Sequence, residues 1–127
     1  IPVEANDSRV VLELPDREAH QNHLGGPHAA VQYALAEAAS AGMLMCGLGD
    51  AFALARPVVK TAQAAYKTFV RGPIEAMATL PPETRERLLA ELDSTGKALG
   101  TVRVEVRAKG REACNEFIFS WAFRKSA

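Results

Sequence analysis

The chain has 127 residues, 48% of them hydrophobic, and its 15 Lys and Arg balance 15 Asp and Glu. That length suits one domain over residues 1–127 with a core of its own and leaves little room for two. A net charge near zero excludes the broad basic field of a nucleic-acid binder and an acidic tail. The opening IPVEANDSRVV has neither a basic n-region nor an apolar h-region, so it does not read as a signal peptide. The apolar run from Ala29 to Gly49 contains Gln32, Glu37 and Ser40 and is rich in alanine and glycine, which favours a buried helix over a membrane span. Cys46 and Cys114 both stand among apolar neighbours, and the expectation is two reduced thiols packed in a core, hence a cytoplasmic protein. His20, His23 and His28 come without a cysteine or a paired motif, so no metal is expected.

In chain order, residues 10–14 (VVLEL) form an apolar-rich run stopped by Pro15 and predict a first strand. A polar connection over residues 15–27 holds His20, Asn22 and His23 and closes on the Gly25-Gly26-Pro27 turn. A long helix is predicted from His28 to the glycines Gly47 and Gly49. Alanines at 29, 30, 34, 36, 38, 39 and 41 favour helix and keep its surface slim, so that a sheet can approach closely. Val31, Leu35, Ala38 and Gly42 mark one face at helical spacing. Residues 58–71 (VVKTAQAAYKTFVR) read as a long strand with Val58, Ala62, Ala64, Tyr66 and Val70 on one face. Residues 74–80 (IEAMATL) read as another strand, and residues 83–92 (ETRERLLAEL) as a short amphipathic helix with Leu88, Leu89 and Leu92 on one side. In residues 101–107, Val102, Val104 and Val106 alternate with charged residues, the pattern of a half-buried strand. A turn at Lys109-Gly110 leads into residues 114–124, where Phe117, Phe119, Trp121 and Phe123 share one face, and the two segments predict a hairpin. The element order gives an α+β layout: a largely antiparallel sheet wrapped around one long central helix. Such a sheet keeps an open face and an open edge, which two-fold self-association would cover.

The stretch from Asn22 to Ala39 resembles a known signature. Asn22, the Gly25-Gly26 turn, His28-Ala29-Ala30 and Leu35-Ala36-Glu37-Ala38-Ala39 are similar to the pattern of hotdog-fold thioesterases, in particular the phenylacetate-pathway type and its DUF4442 branch. In that pattern an Asn and a Gly-containing turn precede a His followed by small residues, with an acidic residue nine positions beyond the His, as Glu37 is from His28. The tail from 97 to 123 also resembles the closing hairpin, so the likeness covers nearly the whole chain. Ala29-Ala30 stand where many members carry Gly-Gly, and Glu37 where many carry Asp. Thr61 is a candidate for the Ser or Thr often found on the strand after the helix. The resemblance implies a hotdog fold, an acyl-coenzyme A substrate with no further cofactor, and a homodimer or homotetramer whose subunits share the site.

The residues themselves fit that chemistry. Thioester hydrolysis needs a base or nucleophile near the carbonyl carbon, a donor for the developing oxyanion and a way to place water. Glu37 is the only charged residue among the 21 from Ala29 to Gly49, and a carboxylate buried alone is costly unless it has a task. It is the candidate base or nucleophile. The unpaired N–H groups at the helix start, around Ala29 and Ala30, are the candidate oxyanion donors. Asn22 would orient water or the carbonyl, His28 would sit at the helix entry, and Gly26, Lys60 and Thr61 would line the substrate. Lys60, Lys67, Arg71, Lys97 and Arg103 are candidate contacts for coenzyme A phosphates. Glu37 lies ~13 Å along the helix axis from the donor end, too far for one thioester, so a site shared across a dimer interface is expected. Two other readings stay open: a similarity to hotdog dehydratases, which have a His in the loop and a Glu on the helix as His23 and Glu37 stand here, implies a 3-hydroxyacyl thioester dehydratase, and a non-catalytic module would bind an acyl ligand or only support assembly.

Overall fold

The structure, a computed structural model, describes residues 1–126. A short hairpin of β1 (Pro2–Ala5) and β2 (Arg9–Leu14) opens the chain. The long helix α1 (Ala29–Leu48) and a single turn, α2 (Asp50–Ala53), follow. Then come β3 (Ala55–Ala65), β4 (Ile74–Thr79), α3 (Pro82–Thr95), β5 (Lys97–Ala108) and β6 (Cys114–Lys125). The six strands form one sheet in the order β1-β2-β4-β5-β6-β3, and every neighbouring pair is antiparallel. The expected layout of an antiparallel sheet around one long helix is therefore the observed one.

The core lies between α1 and the concave face of the sheet. It contains Val10, Ile74, Ala76, Ala78, Val102, Val104, Val106, Phe117, Phe119, Trp121 and Phe123 from the strands, and Ala36, Ala39, Met43, Leu44 and Leu48 from the helix. All four aromatics expected to share a face do so. Burial of each large side chain contributes about 1.5–3 kcal/mol. Alanine on both sides, Ala36 and Ala39 on α1 and Ala76 and Ala78 on the central strand β4, lets helix and sheet approach closely. At one end α3 covers the sheet with Leu88 and Leu92. A Cβ on Gly100 of β5 would come within 2.8 Å of both Leu88 methyls, so this strand position is glycine because a leucine occupies its side-chain space.

The details depart from the sequence expectation in instructive places. The buried face of α1 carries Gln32, Ala36, Ala39, Ser40, Met43, Leu44 and Leu48, not Val31, Leu35, Ala38 and Gly42. The helix is apolar nearly all round, so its periodicity says little about orientation, and two polar residues lie inside because the sheet supplies their partners. β3 stops at Ala65 instead of running to residue 71, and its residues are mostly exposed because it is an edge strand. Val58 faces out and is 59% exposed, while a register shift between Val59 and Thr61 leaves Lys60 as an extra, unpaired residue. β1 is an edge strand with too little apolar character to be read from the sequence. Neither cysteine is packed in the core: Cys46 is exposed on α1 and Cys114 is half-buried. Among the described residues no helix is long and apolar enough to cross a membrane.

Because Leu88 is fully buried and cannot swing away, Gly100→Val should lower the unfolding free energy by about 1–3 kcal/mol in urea denaturation. Much of that loss should return in Gly100→Val combined with Leu88→Ala, since the two side chains compete for one volume.

Candidate functional site

The site is built by two loops that meet over the start of α1. The first is the polar connection before the helix. Gly26 C=O accepts from Asn22 N–H at 2.6 Å, and Gly25 N–H donates to Asn22 C=O at 3.1 Å. The Asn22 carboxamide oxygen also accepts from the N–H groups of Leu24 at 2.9 Å and Gly26 at 3.3 Å, the local side-chain-to-backbone turn that Asn favours. His28 N–H donates to His20 C=O at 2.9 Å and closes the loop onto the helix. His28 is the N-cap, but its side chain is exposed and makes no capping bond. No acidic residue sits in the first turn, and Ala29 and Ala30 are exposed. No side chain caps the N–H groups of this first turn, and the helix dipole makes them attractive to negative charge.

The second loop, residues 66–71, leaves the end of β3 and crosses the helix start. Tyr66 O–H donates to Ala29 C=O at 2.9 Å, and its ring lies edge-on to Phe117 at 5.5 Å. Burial, with Tyr33 nearby, pushes the Tyr66 hydroxyl up from its ordinary pKa, which keeps it a donor. The two loops touch at Gly26. A Cβ there would lie 2.6 Å from Val70 O and 2.8 Å from the Phe69 ring, so only glycine fits beneath the strap. Between loops and helix lies a cleft of about 340 Å³ lined by Asn22, Pro27, Ala29, Gln32, Tyr66 and the strap from Lys67 to Val70.

A buried polar relay fixes both walls of this cleft. Gln32 Nε2 donates to Pro27 C=O at 3.3 Å, Asn115 Nδ2 donates to Gln32 Oε1 at 2.7 Å, and Thr68 N–H donates to Asn115 Oδ1 at 2.9 Å. Three segments far apart in sequence are thereby tied to one helix position. Gln32, Asn115 and Tyr66 are not among the sequence candidates for the site. The signal for Asn115 is its parity: it shares the strand face of Phe117, Phe119 and Trp121 and is the polar residue on that face. Gln32 stands out as the one long polar side chain between His28 and Glu37.

The structure brings Asn22, Gly26, His28, Ala29 and Ala30 together at this end of α1. It places Glu37 elsewhere. That carboxylate is half-buried, lies further along the helix, and makes no hydrogen bond or ion pair among the described residues. Its backbone is held instead: Trp121 Nε1–H donates to Ser40 Oγ at 3.1 Å, and the Ser40 hydroxyl donates to Glu37 C=O at 2.8 Å. Thr61 pairs with Ser120 on β6, and Lys60 lies in a separate depression with Arg56 and Lys97. Lys67 and Arg103 both bind Glu116 and hold its carboxyl below the usual range, Lys67 at 2.6 Å. The Arg71 guanidinium lies 4.9 Å from the Phe69 ring centre. Burial and the adjacent Glu105 push the Cys114 thiol up, away from the thiolate a nucleophile needs. Among the described residues no three His, Cys, Asp or Glu side chains gather as a metal-ligand set.

The pattern of a domain of unknown function, DUF4442, matches residues 3–121. No curated protein matches the chain. Solved structures share its fold at low identity. A Pseudomonas aeruginosa protein of unknown function, described as a "Probable Thioesterase", is 22% identical with a TM-score of 0.85, the match covering 98% of this chain and 82% of that one. A protein of unknown function from Chlorobaculum tepidum is 18% identical with a TM-score of 0.88 over 98% of this chain and 82% of its own. A variant of the phenylacetic acid degradation protein PaaI from Thermus thermophilus is 21% identical with a TM-score of 0.69, covering 98% of this chain and 91% of its own.

Replacing Asn115 by leucine keeps its branched shape but adds volume, and it strands the buried Gln32 carbonyl and the half-buried Thr68 N–H. Asn115→Leu should therefore cost roughly 2–4 kcal/mol in urea denaturation. Hydrogen exchange at the Thr68 amide should accelerate well beyond that of the β5–β6 ladder.

Proposed function

From the premise that this chain belongs to the DUF4442 family and has the hotdog fold, we propose that it hydrolyses acyl-coenzyme A thioesters in a site shared by two copies. One observation carries the reading. The cleft at the start of α1 is lined by Ala29, at a helix end that no side chain caps, and by no carboxylate, while Glu37 is half-buried and has no hydrogen-bond or ion-pair partner among the described residues. The two are ~13 Å apart along one helix. Two copies whose helices run side by side in opposite directions would set the Glu37 of each against the donor end of the other. The unpaired edge of β3, eleven residues long, is suited to join them by continuing the sheet.

In this mechanism the thioester carbonyl oxygen enters the cleft and accepts from the N–H groups of Ala29 and Ala30. Asn22 and the strap place the acyl group, Gly26 keeping the strap low over the helix. Glu37 from the other copy takes a proton from water, which adds to the carbonyl carbon. The tetrahedral oxyanion is stabilised by the helix-start donors. Collapse breaks the carbon–sulfur bond, and the proton returns to the thiolate, giving a carboxylic acid and free coenzyme A. The geometry equally allows Glu37 to attack directly and form an anhydride that water opens. The PaaI relative's role in phenylacetic acid degradation and the thioesterase description of the Pseudomonas structure support an acyl-thioester substrate.

Two variants test the shared site without disturbing the fold. Glu37→Gln should lower thiol release from an acyl-coenzyme A panel by ~10²–10⁴-fold. Ala29→Pro removes one donor at the first helical position, where proline is tolerated, and the extended ψ of 147° at His28 suits the residue before a proline. It should lower kcat by ~10²–10³-fold. A mixed dimer of the two variants carries one site with both groups intact, so co-expression should restore activity; a site within one subunit would stay dead in the mixture. No turnover across the panel by folded parent protein would overturn the hydrolase reading in favour of an acyl-binding module.

A further inference from the structure

On the convex face of the sheet, the cations of this neutral chain are unevenly placed. Arg56 of β3 pairs with Arg124 of β6, and Arg124 pairs in turn with Lys97 of β5. Three positive side chains therefore stand in one cross-strand row, an arrangement that like charges disfavour. Lys60, the extra residue at the irregularity in β3, joins them. Among the described residues none of the four has a carboxylate partner. Several other cations on or beside the sheet are matched: Lys67 and Arg103 with Glu116, Arg107 with Glu75, Lys109 with Glu13; Lys125, at the end of β6, is not among them. The unmatched row is thus a local feature and not a consequence of net charge.

The four cations surround a depression of about 380 Å³ that Val58, Ala122 and Phe123 also line. In the next cross-strand row Val58 and Leu99 flank Ala122, and both are more than half exposed. An inorganic anion would need only the charges. A row of cations beside an exposed apolar strip fits a molecule with one strongly anionic part and one flat, weakly polar part. We propose that this depression binds a nucleoside carrying at least two phosphate groups: Arg56, Lys97 and Arg124 take the phosphates, Lys60 closes one side, and the base lies over Val58, Ala122 and Leu99. The bound phosphates relieve the repulsion within the row. Arginine is suited to this task because its planar fork meets phosphate oxygens in pairs. The site lies on the face of the sheet opposite α1, since Ala55, Ala98 and Phe123, each adjacent in sequence to a member of the row, point into the core.

The probe is adenosine diphosphate, titrated into the full chain by calorimetry at low salt, with amide shifts followed by NMR. Saturable binding is expected, with shifts centred on Arg56, Lys97 and Ala122 and an affinity that falls steeply as salt rises. Arg124→Ala and Lys97→Ala, both at exposed positions, should each weaken it about tenfold or more, and Arg124→Lys should retain a larger part. Absence of binding, or binding that these variants leave unchanged, would overturn the proposal. Pyrophosphate binding as tightly as adenosine diphosphate would overturn the assignment to a nucleotide. Coenzyme A supplies the second arm: competition with adenosine diphosphate would identify the nucleotide as the substrate's own head group, and independent binding would identify a separate ligand. Because the readout is equilibrium binding, its failure is distinct from a failure of the hydrolase reading.

Discussion

A twenty-residue helix can lie in the hollow of a curved sheet only where the two surfaces are shallow enough to meet, and most of this molecule follows from that contact. Alanine on α1 and on β4 brings backbones close, and the larger volume is supplied from the flanks by Phe117, Phe119, Met43 and Leu44. Close packing of this kind leaves no room for a stray polar group, because an unpaired one costs about 1–3 kcal/mol. Yet α1 buries Gln32 and Ser40. Each is matched by a group on β6: Asn115 meets Gln32, and Trp121 meets Ser40. These two bonds fix the rotation of the helix against the sheet, which a nearly all-apolar surface alone would leave loosely specified.

The same two bonds position the candidate site. The Gln32–Asn115 bond extends to Pro27 on one side and to Thr68 on the other, so both loops over the helix start take their place from the core. The Trp121–Ser40 bond reaches the backbone of Glu37. One strand, β6, thus determines where the donor end and the carboxylate stand along α1. A preorganised site needs such support, since donors and base act only if held within a fraction of an ångström of their working places.

This division explains what the sequence could and could not disclose. The valine alternation of β5 and the aromatic alternation of β6 are direct records of a half-buried sheet, and both strands appear where expected. Asn22, the glycine turn and the His28–Glu37 spacing lie within one short stretch, so local order carries them. The rotation of α1 was not legible, because Val31 and Leu35 are as apolar as the residues that turned inward. The end of β3 was missed because Tyr66 and Thr68 have strand-like side chains but spend their hydrogen bonds on Ala29 and Asn115, partners 37 and 47 residues away. Long-range pairing of this kind leaves no periodic trace. The three-cation row is equally silent, since Arg56, Lys97 and Arg124 become neighbours only through strand register.

The two edges of the sheet are treated differently, and that difference bears on how the protein works. β1 is four residues long, begins with proline, carries a register irregularity and pairs Glu4 with Arg9, all features that discourage another strand from adding to it. β3 is eleven residues long and its outer edge is uncovered. An exposed edge of that length invites pairing with other chains, so its persistence beside a guarded edge argues for a use. Continuation of the sheet through β3 would bring the exposed alanines of α1 from two copies toward one another, and alanine is what such an approach requires: Ala30, Ala34 and Ala38 leave space for a second helix and for a substrate between them. A lone carboxylate on that surface then gains surroundings poorer in water, where its charge acts more strongly on a nearby water molecule than it could at an open surface. The helix composition, the open edge and the missing carboxylate of the cleft are thus consistent with one arrangement, in which neither copy holds a complete site until the other is present.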